Sequence, residues 1–108
     1  MSVSFTIVGL EMSLDEQLRF NLGNLNAAEL LRLLDLYDPG LTGSVRARDL
    51  RQRCVDLLEG GYRDLGVECG VDGRIIWCAR PSGRLDGRLR DLVELCDRAG
   101  ALGVIRWA

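Results

Sequence analysis

Two short segments near the start of the chain alternate apolar with polar residues. The apolar positions from Val3 to Ile7 predict a half-buried strand, and those from Leu18 to Leu22 predict a second one. We expect the two strands to pair antiparallel. Residues 9–16 between them are predicted to form a loop that carries acidic residues.

Two leucine-rich segments in the first half of the chain have the residue spacing of helices. The first predicted helix runs from about Ala27 to Tyr37, is mostly buried, and ends at Asp38-Pro39-Gly40. Ser44 is the expected N-cap of a second helix, which continues to about Glu59. One face of this second helix is apolar and the other carries mixed charges, which is typical of a solvated surface.

A third helix is predicted near the end of the chain. It spans about Gly83 to Ala99, with Ser82 as its N-cap and Gly100 at its end. We expect Leu34 of the first helix and Leu89 of the third to be buried, on helices that cover one face of the sheet.

Residues 67–79 have the pattern of a β-hairpin. Asp72-Gly73 is the dipeptide that a type I′ turn favours, and apolar residues alternate or cluster on both sides of it. A two-residue loop at this position places Cys69 opposite Ile76 and Val67 opposite Cys78.

A last strand is predicted at Val104–Trp107, and the third helix connects it to the strand at Arg74–Ala79. A strand–helix–strand connection favours a parallel pair. The predicted fold is a single α+β domain over residues 1–108. It has two layers: a mixed sheet of about five strands, in chain order ββααββαβ, and three helices packed on it.

Two asparagines precede the first predicted helix and allow two interpretations. Asn26, three residues before Glu29, fits an N-cap with its capping-box partner, and Asn24 beside Gly23 suits a turn or a left-handed conformation. Alternatively, the two side-chain amides bind a polar ligand.

The absence of two residue types restricts the chemistry available to the chain. All fourteen basic residues are arginine, and the sequence contains neither lysine nor histidine. It therefore lacks the usual general base, a Schiff-base amine and the lysine of a phosphate-binding loop. The net charge of −2 provides no overall field that would favour nucleic acid. We expect a protein that is not an enzyme, needs no cofactor and does not bind nucleic acid.

The four cysteines do not have the spacing of a metal site. None of Cys54, Cys69, Cys78 and Cys96 belongs to a C-x-x-C pair, so no metal is predicted. The sequence shows no signal peptide and no membrane-length apolar run, so it predicts a cytoplasmic protein without membrane contact. We therefore expect all four thiols to be free.

Arginine residues are most closely spaced in the segment where the third helix is predicted to begin. The backbone N–H groups of a helix start attract anions, and glycines such as Gly83 allow a ligand to approach the backbone. Arg80, Ser82, Arg84 and Arg88 are therefore candidates for binding a phosphate or carboxylate. In the alternative interpretation this segment is structural, and its arginines pair with Asp86, Asp91 and Glu94.

Three features together resemble a group of small uncharacterised bacterial and phage-type proteins. They are Leu22-Gly23-Asn24-Leu25-Asn26 followed by a leucine-rich helix, the pattern Cys78-x-Arg80-Pro81-x-Gly83-x-Leu85 continued by Leu89, and a tryptophan next to the C-terminus. The resemblance implies a small accessory protein, of a kind used in phage–host conflict, and implies no activity or site.

Two functional hypotheses from different classes follow. The first is a non-enzymatic protein-interaction module, an adaptor or inhibitor-like accessory protein that binds a protein partner and forms a homo-oligomer. The second is a binder of a small anionic ligand, such as a nucleotide. Its site residues would be Arg80, Ser82, Gly83, Arg84 and Arg88, with Asn24 and Asn26 nearby.

Overall fold

The fold is α+β, as the sequence predicts. The computed structural model describes residues 2–62, 67–71, 74–78 and 83–108. The strands are β1 (Ser2–Ile7), β2 (Asn21–Gly23), β3 (Gly43–Arg46), β4 (Val67–Val71), β5 (Arg74–Cys78) and β6 (Val104–Trp107). The helices are α1 (Leu14–Arg19), α2 (Asn24–Leu33), α3 (Ala47–Gly60) and α4 (Asp86–Ala99).

The strands form two separate sheets among the described residues. One is a four-stranded sheet of order β2-β1-β6-β3, antiparallel throughout, and the other is the β4–β5 hairpin. The prediction of a single mixed sheet with β6 parallel to β5 is therefore wrong. β6 instead pairs antiparallel with β1 on one side and with β3 on the other. Both partners are far from β6 in sequence, so no local pattern indicates the pairing.

One face of the four-stranded sheet is buried and the other is open. In β1 the side chains of Val3, Phe5 and Ile7 are buried while the alternate residues are not, which confirms the predicted period of two. In β6 Ile105 and Trp107 are buried in the same way. The buried face contacts the helices, and Leu34 and Leu89 are both buried there, as predicted.

The segment between β1 and β2 contains a helix where the sequence predicts a loop and a strand. Ser13 caps α1: its hydroxyl accepts a hydrogen bond from the Glu16 N–H, and the Glu16 carboxylate accepts one from the Ser13 N–H. This reciprocal capping box is visible in the sequence as Ser13-x-x-Glu16. The apolar alternation that predicts a strand from Leu18 is shared by two elements, because Leu18 belongs to α1 and only residues 21–23 form β2.

The helix predicted from about Ala27 to Tyr37 corresponds to α2, which begins and ends earlier in the chain than expected. Gly23 is the N-cap of α2, so Asn24 and Asn26 lie inside its first turn, and the predicted capping role of Asn26 is wrong. The positive φ of 58° at Asp35 ends the helix region before Asp38-Pro39-Gly40 is reached.

Residues 43–46 are a strand rather than the start of a helix. Ser44, the predicted N-cap, lies in β3 and pairs with Arg106 of β6. The helix α3 begins only at Ala47. Gly43 is required there because a Cβ atom would lie 2.6 Å from Cζ2 of the buried Trp107. The close approach of β3 to this ring is a tertiary contact that outweighs the local capping signal.

The hairpin register agrees with the prediction. Val67 pairs with Cys78 and Cys69 with Ile76. The turn residues Asp72-Gly73 lie outside the described residues, as do Arg80 and Ser82. Among the residues that are described, no helix is long and apolar enough to cross a membrane.

Candidate functional site

Two backbone N–H groups at the start of α4, the predicted anion site, are used in internal hydrogen bonds. Leu85 is the N-cap of α4 and has no side-chain capping bond, and its N–H donates to the Tyr62 hydroxyl at 2.9 Å. The Asp86 N–H donates to the Gly83 carbonyl at 3.1 Å, in a turn where Gly83 adopts a φ of 80°. Asp86 also places a carboxylate in the first turn, where it complements the helix dipole.

Arg84 is held by a buried carboxylate on a different helix. Its guanidinium forms an ion pair with Glu29 of α2, whose side chain is only 3% exposed, and donates at 2.8 Å to the Asn26 Oδ1 atom. The structure thus brings together two predicted site residues, Arg84 and Asn26. They form an internal contact between α2 and the segment before α4. Asn24 is not part of this cluster within the described residues.

Arg88 is exposed and contacts α1. Its Nη1 atom donates to the backbone carbonyl of Arg19 at 3.4 Å, at the C-terminal end of that helix. The residue as a whole is exposed to solvent. Of the three arginines predicted to bind an anion, Arg84 is committed to Glu29, Arg88 is accessible and Arg80 lies outside the described residues.

Two carboxylates of α4, those of Asp91 and Glu94, pair with an arginine of α1, and that of Asp97 pairs with Arg51 of α3. Arg19 binds Asp91 at 3.0 Å and also the carboxylate of Glu94. One turn away, Arg98 binds Glu16 at 3.0 Å. In the structural alternative, the arginines of this segment pair with Asp86, Asp91 and Glu94. Arg19 of α1 binds two of these carboxylates, Asp91 and Glu94, and Arg84 binds the carboxylate of Glu29.

α1 presents its leucines to solvent and makes its ion pairs with α4 through Glu16 and Arg19. None of its six residues is buried, and Leu14 and Leu18 are 70% and 65% exposed. Residues four apart lie on one side of a helix, so the two leucines form one face, which we call the α1 face. This surface is not among the predicted sites, because residues 9–16 are predicted to form a loop, although the capping box and the Leu14–Leu18 spacing both indicate a helix.

A second exposed apolar region lies where β1 ends and β6 begins. The Val8 N–H donates to the Val104 carbonyl at 2.9 Å, and Arg46 of β3 is opposite Val104. Leu102, just before β6, is 99% exposed. We call the region formed by Val8, Leu10 and Leu102 the loop end. It carries two open clefts of about 370 Å³ each, one beside Leu10 and one beside Leu102.

The two cysteines whose side chains are described have free thiols of low reactivity. Burial raises the pKa of Cys54 to about 12 and that of Cys96 to about 11. Both thiols are therefore protonated at neutral pH and are poor nucleophiles. The described residues contain no cluster of three or more groups that could hold a metal ion.

Comparison with protein-family models, with curated proteins and with solved structures yields no significant match for this chain. Evidence about function therefore comes from the arrangement of its own residues.

Proposed function

We propose that this protein is a non-enzymatic protein-interaction module, an adaptor or inhibitor-like accessory protein that binds a partner through the α1 face. The observation that carries the proposal is the orientation of α1. Its two leucines are exposed, while two of its three charged residues, Glu16 and Arg19, make ion pairs with α4. An amphipathic helix on a globular protein normally has the opposite orientation, with its apolar side toward the core.

The attachment of α1 is suited to a docking element. Arg19 and Glu16 hold the two ends of the helix to α4, and the Gln17 side chain donates to the Met12 carbonyl at 2.8 Å. These contacts fix the helix without using its leucines. Complete burial of a leucine contributes about 1.5–3 kcal/mol, so a partner with an apolar groove gains from both side chains.

The experiment compares capture by three forms of the protein from a lysate of its source organism. In the test variant Leu14 and Leu18 are both replaced by glutamate. The matched control is Leu25→Glu, because Leu25 is also an exposed leucine but belongs to α2. We expect one protein to be retained by the wild type and by the control but lost from the test variant.

Reconstitution with the purified partner completes this test. Binding that buries the leucines should have a negative heat-capacity change by calorimetry. Circular dichroism checks that the test variant is folded, since exposed substitutions usually change stability by less than about 0.5 kcal/mol. Equal capture by all three proteins would contradict the proposal.

A thermal-shift panel of nucleotides and phosphates tests the competing hypothesis, that the protein binds a small anionic ligand. A ligand that binds only the folded state raises the melting temperature by an amount that grows with the logarithm of its concentration above the Kd. Because Arg84 is committed to Glu29, we expect no such rise. A concentration-dependent rise that is lost in Arg88→Ala would instead favour the anion site.

A further inference from the structure

The strand β3 lies at one end of the four-stranded sheet, and among the described strands none pairs with its outer edge. Alternate residues of an antiparallel strand direct their N–H and C=O groups toward the same neighbour. The Ala47 N–H donates to the Gly103 carbonyl at 2.9 Å, so residues 43, 45 and 47 are the ones that face β6. The N–H and C=O groups of Ser44 and the N–H of Arg46 therefore point away from the sheet, and they have no partner within the described part of the chain.

The side chains of Ser44 and Arg46 lie on the open face of the sheet. Ser44 pairs with Arg106 of β6, which in turn pairs with Thr6 of β1. Directly opposite residues of antiparallel strands share a face and have Cβ atoms about 4.5–5.5 Å apart. Arg46 is the diagonal neighbour of Arg106 on the same face, because it lies two residues beyond Ser44. We call the surface formed by Thr6, Ser44, Arg46 and Arg106 the edge patch.

The edge patch is positively charged, although the chain as a whole has a net charge of −2. The strands β1, β2, β3 and β6 contain no acidic residue. Neither Arg46 nor Arg106 forms an ion pair with a residue that the structure describes. Glu11 lines a cleft with Arg106, and Arg48 lines one with Arg46. With both of these neighbours counted, three arginines and one carboxylate leave a local charge of +2.

The backbone edge and the charge together select the kind of partner. An unpaired strand edge forms its hydrogen bonds with another polypeptide backbone, and the unpaired arginines favour carboxylates. Nucleic acid fits less well, because Phe5 and Trp107 lie on the buried face and the open face offers no ring on which bases could stack. A second copy fits less well too, because two paired β3 edges would bring arginines together without any carboxylate from the sheet.

We propose that β3 binds an extended acidic segment of a partner protein, which adds to the sheet as a fifth strand. The backbone of the segment bonds to the outward groups of Ser44 and Arg46. Alternate side chains of an added strand lie on one face, so every second residue of the segment is a carboxylate that contacts Arg46 or Arg106. This inference goes beyond the proposed function, because Leu14 and Leu18 take no part in it. Failure at either surface leaves the test of the other unaffected.

Titration of ¹⁵N-labelled protein in an NMR experiment tests the proposal. The probe is the peptide acetyl-Glu-Val-Glu-Val-Glu-Val-Glu-amide, and its matched control has the same residues in block order, with all glutamates first. We expect the probe to shift the amide signals of Ser44 and Arg46 saturably and to slow the hydrogen exchange of both amides. The control peptide should bind more weakly, since its carboxylates cannot all lie on one side, and salt should weaken the binding of the probe. The proposal is overturned if these two amides do not respond, if the control binds equally well, or if single-stranded oligothymidylate displaces the probe.

Two variants separate the backbone contribution from the charge. Ser44→Pro removes an outward N–H, which an edge strand tolerates, and keeps both arginines, so it should weaken binding of the probe about tenfold or more. The double variant Arg46→Glu with Arg106→Glu should lose the probe and bind the peptide in which lysine replaces glutamate. The matched control is Arg90→Glu, an exposed arginine of α4, which should bind the probe like the wild type. Circular dichroism checks that each variant is folded, and undiminished binding by either folded variant would contradict strand addition at this edge.

Discussion

Two segments of this molecule are attached by the same kind of contact, an arginine bound to a carboxylate on another helix, but with different burial. In α1, the side chain of Arg19 is 48% exposed and that of its partner Glu94 is 51% exposed, while its second partner Asp91 is partly covered. At the start of α4, Arg84 is mostly covered and Glu29 is almost completely buried. Leu85 and Leu89 in this second segment are buried as well, whereas α1 buries none of its residues.

Burial of the charges, rather than the presence of an arginine–carboxylate pair, determines how much each contact contributes to stability. Exposed ion pairs contribute little to stability because water and salt screen them. A buried pair is different, because removal of one partner leaves the other charge in a poorly solvated place. We therefore infer that Arg84 is structural, while Arg19 orients a surface helix.

The largest effect is expected from breaking the buried contact. Arg84→Met should lower the free energy of unfolding by about 3–5 kcal/mol, since it removes a cation that binds the buried Glu29 carboxylate. Denaturant unfolding measures the change. The matched control is the double variant with Glu29→Met added, which should recover part of the loss because the buried carboxylate is then removed as well. A single variant as stable as the wild type would show that this pair is not structural.

The next largest loss of stability is expected from truncating a buried leucine. The same change in an exposed leucine of α1 provides the comparison. Leu89→Ala should cost about 2–5 kcal/mol because the side chain is completely buried, and Leu34→Ala should behave in the same way. Leu18→Ala is the control and should change stability by less than about 0.5 kcal/mol, since Leu18 is exposed. Equal melting temperatures for Leu89→Ala and Leu18→Ala would contradict the difference in burial on which the comparison depends.

A smaller effect concerns Tyr62, which supports the start of α4. Tyr62→Phe removes the acceptor of the Leu85 N–H and should cost about 1 kcal/mol. Burial, together with the hydrogen bond to Asp86, raises the pKa of Tyr62 above its ordinary value of 10.0. The folded state therefore favours the protonated phenol. This contribution to stability is complete below pH 10 and is lost as the pH rises through the raised pKa.

The pH dependence is measured as the difference between wild type and Tyr62→Phe. Cys54 and Cys96 also titrate at high pH, but they are present in both proteins and their effects cancel in the comparison. We expect the difference in stability to be constant below pH 10 and to decrease above it. A difference that is unchanged at alkaline pH would show that the Tyr62 hydroxyl does not have the environment described.

The smallest effect is expected from breaking the exposed contact. Arg19→Ala should reduce stability only slightly, and added salt should reduce the difference from wild type further. Melting at low and high ionic strength measures both changes. A large loss that salt does not alter would mean that α1 is held as firmly as the start of α4, and the comparison between the two segments would fail.

Much of the local structure could be predicted from residue patterns. The alternation from Val3 to Ile7 indicates β1, Asp72-Gly73 indicates the register of the β4–β5 hairpin, and the helical spacing around Leu89 indicates α4. In each case the signal comes from residues close together in the chain. α1 could also have been predicted, because its capping box is present in the sequence.

The candidate sites were harder to predict because they depend on distant contacts. The sequence analysis assigned ligand binding to Arg84 and Asn26, but 58 residues of chain separate the two atoms that hydrogen-bond. Nothing local shows that Glu29 is buried beneath Arg84. The same holds for the α1 face, where the exposure of Leu14 and Leu18 depends on which residues of α4 hold the helix.

The sequence by itself determined the α+β class, the alternating strands, the buried face of the helices and the absence of histidine and lysine chemistry. These follow from short-range periodicity and from composition, which no fold can change. Only the tertiary structure decided that β6 lies between β1 and β3, that Arg84 contacts the buried carboxylate of Glu29, and that the leucines of α1 and Leu102 are exposed. Pairing and burial depend on which distant segments meet, and the free energy of a charge or an apolar side chain depends on that environment.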